Sequence, residues 1–469
     1  MLMNAQIFII LVFFASLEKI KSEEKIIFAW QIHRHGARAP YKGVTNNMDV
    51  YHENWTEIEE LTEVGKRMLY LLGVKIRKRY VEKYKLLSEQ YNPQEIYIRS
   101  TDVNRTIESI ESLLQGLYPK GTGPCFSQKI ENDYSRIFPP NKKYYNEFEE
   151  IIKSYNLTDG SALPFKMSIE PIHLFYKPKH EFQLYDTNLC IGHKQKYLEQ
   201  QNSQRIKDLA DDLNKKFDRL FFELEGTNNE TFLYDYWTIY KYMDGFVCDD
   251  TDSRKFEYLF KNYDFNLTKL DLLRNISKQY LWLDYSYVNY PEGYNNISIV
   301  ANSYTMHSII NWMEKSIEGF KHNNSNYLKY VIYSAHDASI GALEHFMKYA
   351  FNTEVEYSSF AESRFFELYI DEDNVYKVRY LKGENSLKKI LTFDEFKKII
   401  DEKTWNDKKV SDFCQFEGKP EVDIKDGNNT SLSFIFMISL IILNVIILFI
   451  ILICFLKIKK YNNKMNLNL

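Results

Sequence analysis

Phe28-Ala29-Trp30-Gln31-Ile32-His33-Arg34-His35-Gly36-Ala37-Arg38-Ala39-Pro40 is the stretch on which the reading of this chain turns. Residues 26–32 form an apolar, partly β-branched run, which predicts a buried strand. The run stops abruptly at a cationic turn containing Arg34, His35, Gly36 and Arg38. Guanidiniums on both sides of an imidazole, next to a glycine that lets backbone approach closely, suit an oxyanion better than a core. The plainer alternative makes His33 and His35 ordinary surface histidines at a strand end.

Two further strand ends weigh against that alternative. Glu95-Ile96-Tyr97-Ile98-Arg99 reads as a short buried strand, and Ser100-Thr101-Asp102 offers cap chemistry for a helix running to about Tyr118. Tyr330-Val331-Ile332-Tyr333-Ser334 reads as another strand, followed by His336-Asp337 and a helix over 338–349. Apolar spacing predicts a helix over 61–84, and 365–370 with 375–381 predict a hairpin. Thr392 and Glu395 form a capping box opening a helix to Ile400.

The expected fold class is α/β: a central, mostly parallel sheet with helices on both faces, plus a smaller, mainly helical domain. Ligands of such sheets sit at the carboxyl ends of the strands. Residues 23–124 and 325–420 are assigned to the large domain, and 125–324 to a helical insertion. Within the insertion, 167–175 is expected as a strand and 203–224 as an amphipathic helix, with aromatic, loop-broken chain over 234–246.

The chain has 469 residues and a net charge of −4, which gives no support for nucleic-acid binding. Residues 1–22 read as a secretory signal. Residues 434–456 are apolar except for Ser439 and Asn444, long enough to span a bilayer, and Lys457, Lys459 and Lys460 follow. After a polar stalk at 421–433, the expectation is a single-pass type I membrane protein whose tail, 457–469, is cytoplasmic. Its catalytic domain would be luminal or extracellular. Asn-x-Ser/Thr sequons, among them Asn54, Asn156 and Asn429, fit a glycoprotein, whereas the one at Asn104 sits too close to the candidate site to suit a glycan. Cys125, Cys190, Cys248 and Cys414 precede the span and Cys454 lies within it, so two disulfides in three possible connectivities are open.

Arginines, two histidines and a carboxylate converging on one crevice point to phosphoryl transfer. Guanidiniums bind phosphate oxygens bidentately, an imidazole can attack phosphorus, and Asp337 is the nearest acid for the leaving alcohol. These same residues carry a family resemblance. Arg34-His35-Gly36-Ala37-Arg38-Ala39-Pro40 resembles the defining motif of the histidine acid phosphatases, in the phosphoglycerate mutase-like group. Residues 98–106, Ile-Arg-Ser-Thr-Asp-Val-Asn-Arg-Thr, and Ser334-Ala335-His336-Asp337 resemble the family's second phosphate-binding element and its acid-donor motif. The resemblance implies His35 as the nucleophile that becomes phosphorylated and Asp337 as proton donor. Arg34, Arg38, Arg99 and His336 would bind the phosphate, with no cofactor or metal. It further implies small phosphomonoesters as substrates, phytase-like or lysophospholipid phosphatase activity as alternatives, and allows a homodimer. The membrane anchor resembles the lysosomal members.

Each residue has a structural alternative. His33 is expected to be structural and Arg105 an ion-pair partner, while His173 could line the site or simply pack. Among rival functions, a metal-dependent hydrolase would use His33, His35, His336 and Asp337 as ligands, but Arg34 and Arg38 would crowd a dication. A non-catalytic, receptor-like module would fit the anchor, yet every residue that the chemistry needs is present.

Overall fold

The computed structural model describes residues 24–40, 58–125, 150–151, 154, 161–174, 190–217, 236–252, 275, 296–324, 326–383 and 386–415. The expected signal (1–22), stalk, membrane span and tail lie outside them. Among the described residues no helix is long and apolar enough to cross a membrane.

Strand β1 (Lys25–Arg34) lies at the centre of a seven-stranded sheet, and all but its first residue are buried. To one side run β4 (Tyr330–Ala335), β2 (Ile96–Ser100) and the two-residue β3 (His173–Leu174), all parallel to it. To the other run β5 (Ser363–Ile370), β6 (Tyr376–Lys382) and the edge strand β7 (Ser386–Thr392), each antiparallel to its neighbour. The sheet is therefore mixed, half parallel and half antiparallel. The β5–β6 hairpin turns at Asn374, which takes the left-handed conformation that Asn tolerates better than most residues.

Helices cover both faces, as the alternation of strands and helices requires. α1 (Glu63–Ile76), capped by the Thr62 hydroxyl, and α2 (Asn104–Leu117) pack on one face. Leu69, Leu72, Ile110 and Leu113 there meet Ala29, Ile98 and Ile332 of the sheet. Beyond α1 the chain widens into a π-helical segment, Arg77–Lys83. α6 (Asn296–Lys321), α7 (Asp337–Phe351) and α8 (Phe393–Lys403) cover the other face, where Met306, Met313, Phe346 and Ile400 pack on Trp30, Val331 and Tyr333. The capping box at Thr392 and Glu395 is formed as expected.

Between these layers in sequence come α3 (Ile191–Gln201), α4 (Gln204–Phe217) and α5 (Tyr236–Thr251), and α9 (Asp407–Cys414) follows α8. Three expectations change here. The strand at 167–175 contracts to β3, and the segment read as loop-broken around Tyr236 is a continuous helix. β3 and α6 belong to the sheet and its core, although both fall inside 125–324. One disulfide joins Cys190 to Cys414, while Cys125 and Cys248 are unbridged. Cys190 and Cys414 bury together with Val300 and Val410, fastening α3 and α9 to α6.

The two helices on the first face cross at glycines. A Cβ on Gly73 would come within 1.9 Å of the Leu113 carbonyl oxygen, and one on Gly116 within 2.1 Å of that of Tyr70. Backbone contact this close leaves no room for a methyl group. Gly116→Ala is expected to lower unfolding stability by about 1–3 kcal/mol in urea melts, despite alanine's better helix propensity.

Candidate active site

The carboxyl ends of β1, β4 and β2 are tied together before any side chain is considered. The His35 N–H donates to the Ala335 carbonyl at 2.9 Å, and the Thr101 N–H donates to that of Ser334 at 3.2 Å. The turn after β1 is held from below: Gly36 N–H donates to Ser109 Oγ of α2 at 3.1 Å, and Thr62 N–H to the Ala37 carbonyl at 3.0 Å. Gly36 presses directly on Gly65 of α1, where an added Cβ would meet the Gly65 carbonyl oxygen at 2.4 Å. The glycine of the motif thus seats the loop on a helix.

His35 is 2 % exposed. Its Nδ1 lies 2.8 Å from the Gly36 carbonyl oxygen. A carbonyl oxygen only accepts, so Nδ1 carries the proton and Nε2 of the neutral ring carries the lone pair. Burial, reinforced by Arg34, Arg38, His336 and Arg105, pushes the imidazole well below its usual range. Its ring stands edge-on to that of His336 at 5.6 Å between centroids.

Arg34 and Arg38 are each held by a carboxylate. Arg34 Nη2 lies 2.8 Å from Asp337 Oδ2. Its Nη1 donates to the Ser358 carbonyl at 2.8 Å and to the Tyr357 hydroxyl at 3.0 Å, and the guanidinium lies 4.1 Å above the Phe360 ring. Arg38 donates from Nη2 to Asp244 Oδ1 at 2.7 Å and from Nη1 to Oδ2 at 3.0 Å.

His336 leaves the end of β4, and Asp337 opens α7. His336 Nε2 is 3.0 Å from Thr101 Oγ1, which is itself 2.7 Å from Thr106 Oγ1. Thr101 therefore serves the site, and α2 starts at Asn104 without a side-chain cap. Burial and the charge of Arg105 pull His336 down to about 3, against the opposing pull of Asp337. Burial alone would raise the Asp337 carboxyl, but Arg34, Arg38 and His336 outweigh it and hold it below the usual range. Asp337 is thus ionised in the unliganded site, not protonated as an acid must be.

The structure gathers His35, Arg34, Arg38, His336 and Asp337, but not Arg99. Strand alternation turns Arg99 to the face shared by Tyr97, where it lies 5.8 Å from the Tyr333 ring. It lines a cavity of about 520 Å³ with Tyr97, His173 and Trp312, and none of the other five residues lines that cavity. His173 packs there, stacked on Tyr97 at 4.7 Å. A third arginine whose charge reaches both His35 and His336, besides Arg34 and Arg38, is Arg105 in the first turn of α2. It also lies 3.7 Å from Glu59, in keeping with the expected ion pair. The signal for its second role was its place at a helix N-terminus just past a strand end, where anions are favoured. Among the described residues no cluster of three or more His, Cys, Asp or Glu is placed to hold a metal ion.

His33 is structural as expected, with no exposed surface and Nδ1 donating to the Arg34 carbonyl at 3.1 Å. Burial lowers it to about 4. All three histidines remain neutral in the fold while the unfolded chain binds protons below about pH 6.5. Stability is therefore expected to fall as pH drops from 6.5 towards 4, by up to about 1.4 kcal/mol per pH unit for each histidine. Urea melts across this range should show the slope, and His33→Asn should flatten it by about one proton.

Known proteins share this chain's sequence pattern and fold. The profile described as Histidine phosphatase superfamily (branch 2) matches residues 25–382. Lysosomal acid phosphatase of Xenopus laevis is 26% identical over 380 residues, covering 80% of this chain and 74% of that protein. Lysophosphatidic acid phosphatase type 6 of Mus musculus is 41% identical over 80 residues, only 17% of this chain and 19% of that protein. Among solved structures, the phytase from Citrobacter braakii superposes with a TM-score of 0.52 at 12% identity, covering 82% of this chain and 98% of that one. The apo form of Hafnia alvei phytase gives 0.53 at 12% identity, with the same coverage. These two establish a shared fold. With its profile match spanning both motif-bearing ends of the sheet, the chain belongs to branch 2 of the histidine phosphatase superfamily.

Proposed function

We propose that this protein is an acid phosphatase that hydrolyses phosphate monoesters through a phosphohistidine at His35. The observation that carries the reading is the hydrogen bond from His35 Nδ1 to the Gly36 carbonyl, which leaves the Nε2 lone pair among guanidiniums. Nε2 attacks phosphorus, the bond from phosphorus to the ester oxygen breaks, and Asp337 gives the leaving alcohol its proton. Water then attacks the phosphohistidine, Asp337 takes the water's proton, and the bond from phosphorus to Nε2 breaks to release phosphate. Arg34, Arg38 and His336 bind the phosphoryl oxygens, with Arg105 in the part that the resemblance implied for Arg99.

The low proton affinity of His35 keeps the nucleophile neutral in acid, where an ordinary histidine would be blocked. The ionised Asp337 acquires its proton from the substrate. A monoester monoanion brings one, and its negative charge offsets the guanidiniums that hold Asp337 ionised. Broad phosphomonoester specificity is the reading for substrate. Residues 1–22 and 434–456, together with the Cys190–Cys414 disulfide, support a secreted, membrane-anchored domain in an oxidising lumen such as that leading to the lysosome.

Turnover of p-nitrophenyl phosphate is expected to persist at pH 4.5–5 and to resist EDTA, with His35→Ala abolishing it. Asp337→Asn should lose about 10²–10⁴-fold with an alkyl phosphate but much less with p-nitrophenyl phosphate, whose leaving group barely needs a proton. Activity removed by EDTA would favour a metal-dependent hydrolase, and a folded, inactive protein a binding module.

A further inference from the structure

Asp244 reaches the site from 206 residues away in sequence and from a helix that carries none of the motifs. It lies in α5, and its carboxylate grips the outer edge of Arg38 with one oxygen on each terminal nitrogen, at 2.7 and 3.0 Å. Arg38 Nη1 also donates to the Ala39 carbonyl at 2.9 Å, and Cys248, one turn further along α5, has its Sγ 3.6 Å from the same nitrogen. Three of the five guanidinium N–H groups are thereby directed. The Arg38 and Asp244 side chains are 1% and 5% exposed, so the pair is nearly dry.

We propose that Asp244 is a positioning residue for phosphate binding, fixing the plane and direction in which Arg38 meets the phosphoryl oxygens. A bidentate carboxylate restrains a guanidinium to one plane, a restraint that a lone carbonyl cannot supply. It also compensates a charge that burial would otherwise leave costly beside Arg34 and Arg105. Its part differs from that of Asp337, whose side chain is 21% exposed at a strand end where it can exchange protons. Asp244 is buried, with both carboxylate oxygens engaged by Arg38. The consequence is that the inserted helical segment contributes to phosphate affinity without touching substrate.

The inference rests on the phosphohistidine reading, and the wild-type protein separates the two. Full-length wild type and Asp244→Asn would be assayed with p-nitrophenyl phosphate, with inorganic phosphate as competitive inhibitor. Inactive wild type would overturn the functional reading itself. With active wild type, Asp244→Asn is expected to raise both KM and the inhibition constant of phosphate about tenfold or more, with a smaller fall in kcat. The effect should largely vanish in an Arg38→Lys background, because Asp244 acts through Arg38. Unchanged KM and inhibition constant would overturn the proposal, as would tighter phosphate binding, which would make Asp244 a competitor. If Asp244→Asn does not fold, Asp244→Glu retains the charge and displaces it. A folded Glu variant with weakened phosphate binding supports the proposal; one with unchanged binding, or that also fails to fold, overturns it.

Discussion

Guanidiniums taken out of water repel one another and lose hydration, so a site built from them needs anions at fixed places. Arg34 and Arg38 are 2% and 1% exposed, and each is held by one carboxylate from a different part of the chain. The same device recurs away from the site. Glu367, fully buried in β5, takes Arg79 from the π-helical segment at 2.6 Å and Arg379 from β6 at 2.6 Å. Glu344 of α7 pairs with Arg364 of β5, both wholly buried. What distinguishes the site is a surplus of positive charge: Arg34, Arg38 and Arg105 all depress His35 and His336, and Arg105 meets its carboxylate, Glu59, only at 3.7 Å. In the proposed reading, an incoming phosphate is the anion that offsets this surplus.

That surplus is held in place by backbone. Parallel strands end together, so His35 and His336, each one residue past the β1–β4 pairing, come side by side without help from their own side chains. The contact of Gly36 with Gly65 then fixes how far the loop sits above α1. Side chains refine a position that the chain path has already set.

The parts of this arrangement that were legible in sequence are local ones. Apolar runs marked β1, β2 and β4, and after β1 and β4 the candidate site residues follow the run directly. The capping box at Thr392 and the hairpin around Asn374 were readable for the same reason. Missed features depend on distance or on face. Arg99 and Arg105 sit six residues apart in one motif, and only the alternation of a strand against the turn of a helix separates their surroundings. β7 mixes Lys388 and Lys389 with Leu387 and Ile390 on an exposed edge, so no clean alternation announces it. α5 combines aromatics with Gly245, a composition that reads as broken chain, and its tie to Arg38 spans 206 residues.

The disulfide between Cys190 and Cys414 encloses β4, α7 and the whole antiparallel half of the sheet. A protease that cuts once between these cysteines leaves two fragments still covalently joined. His35, just past β1, and Asp337, at the start of α7, then stay within one molecule, and dissociation requires reduction as well as cleavage. In a compartment rich in proteases and poor in reductants, a single cut therefore leaves the two halves of the candidate site tethered.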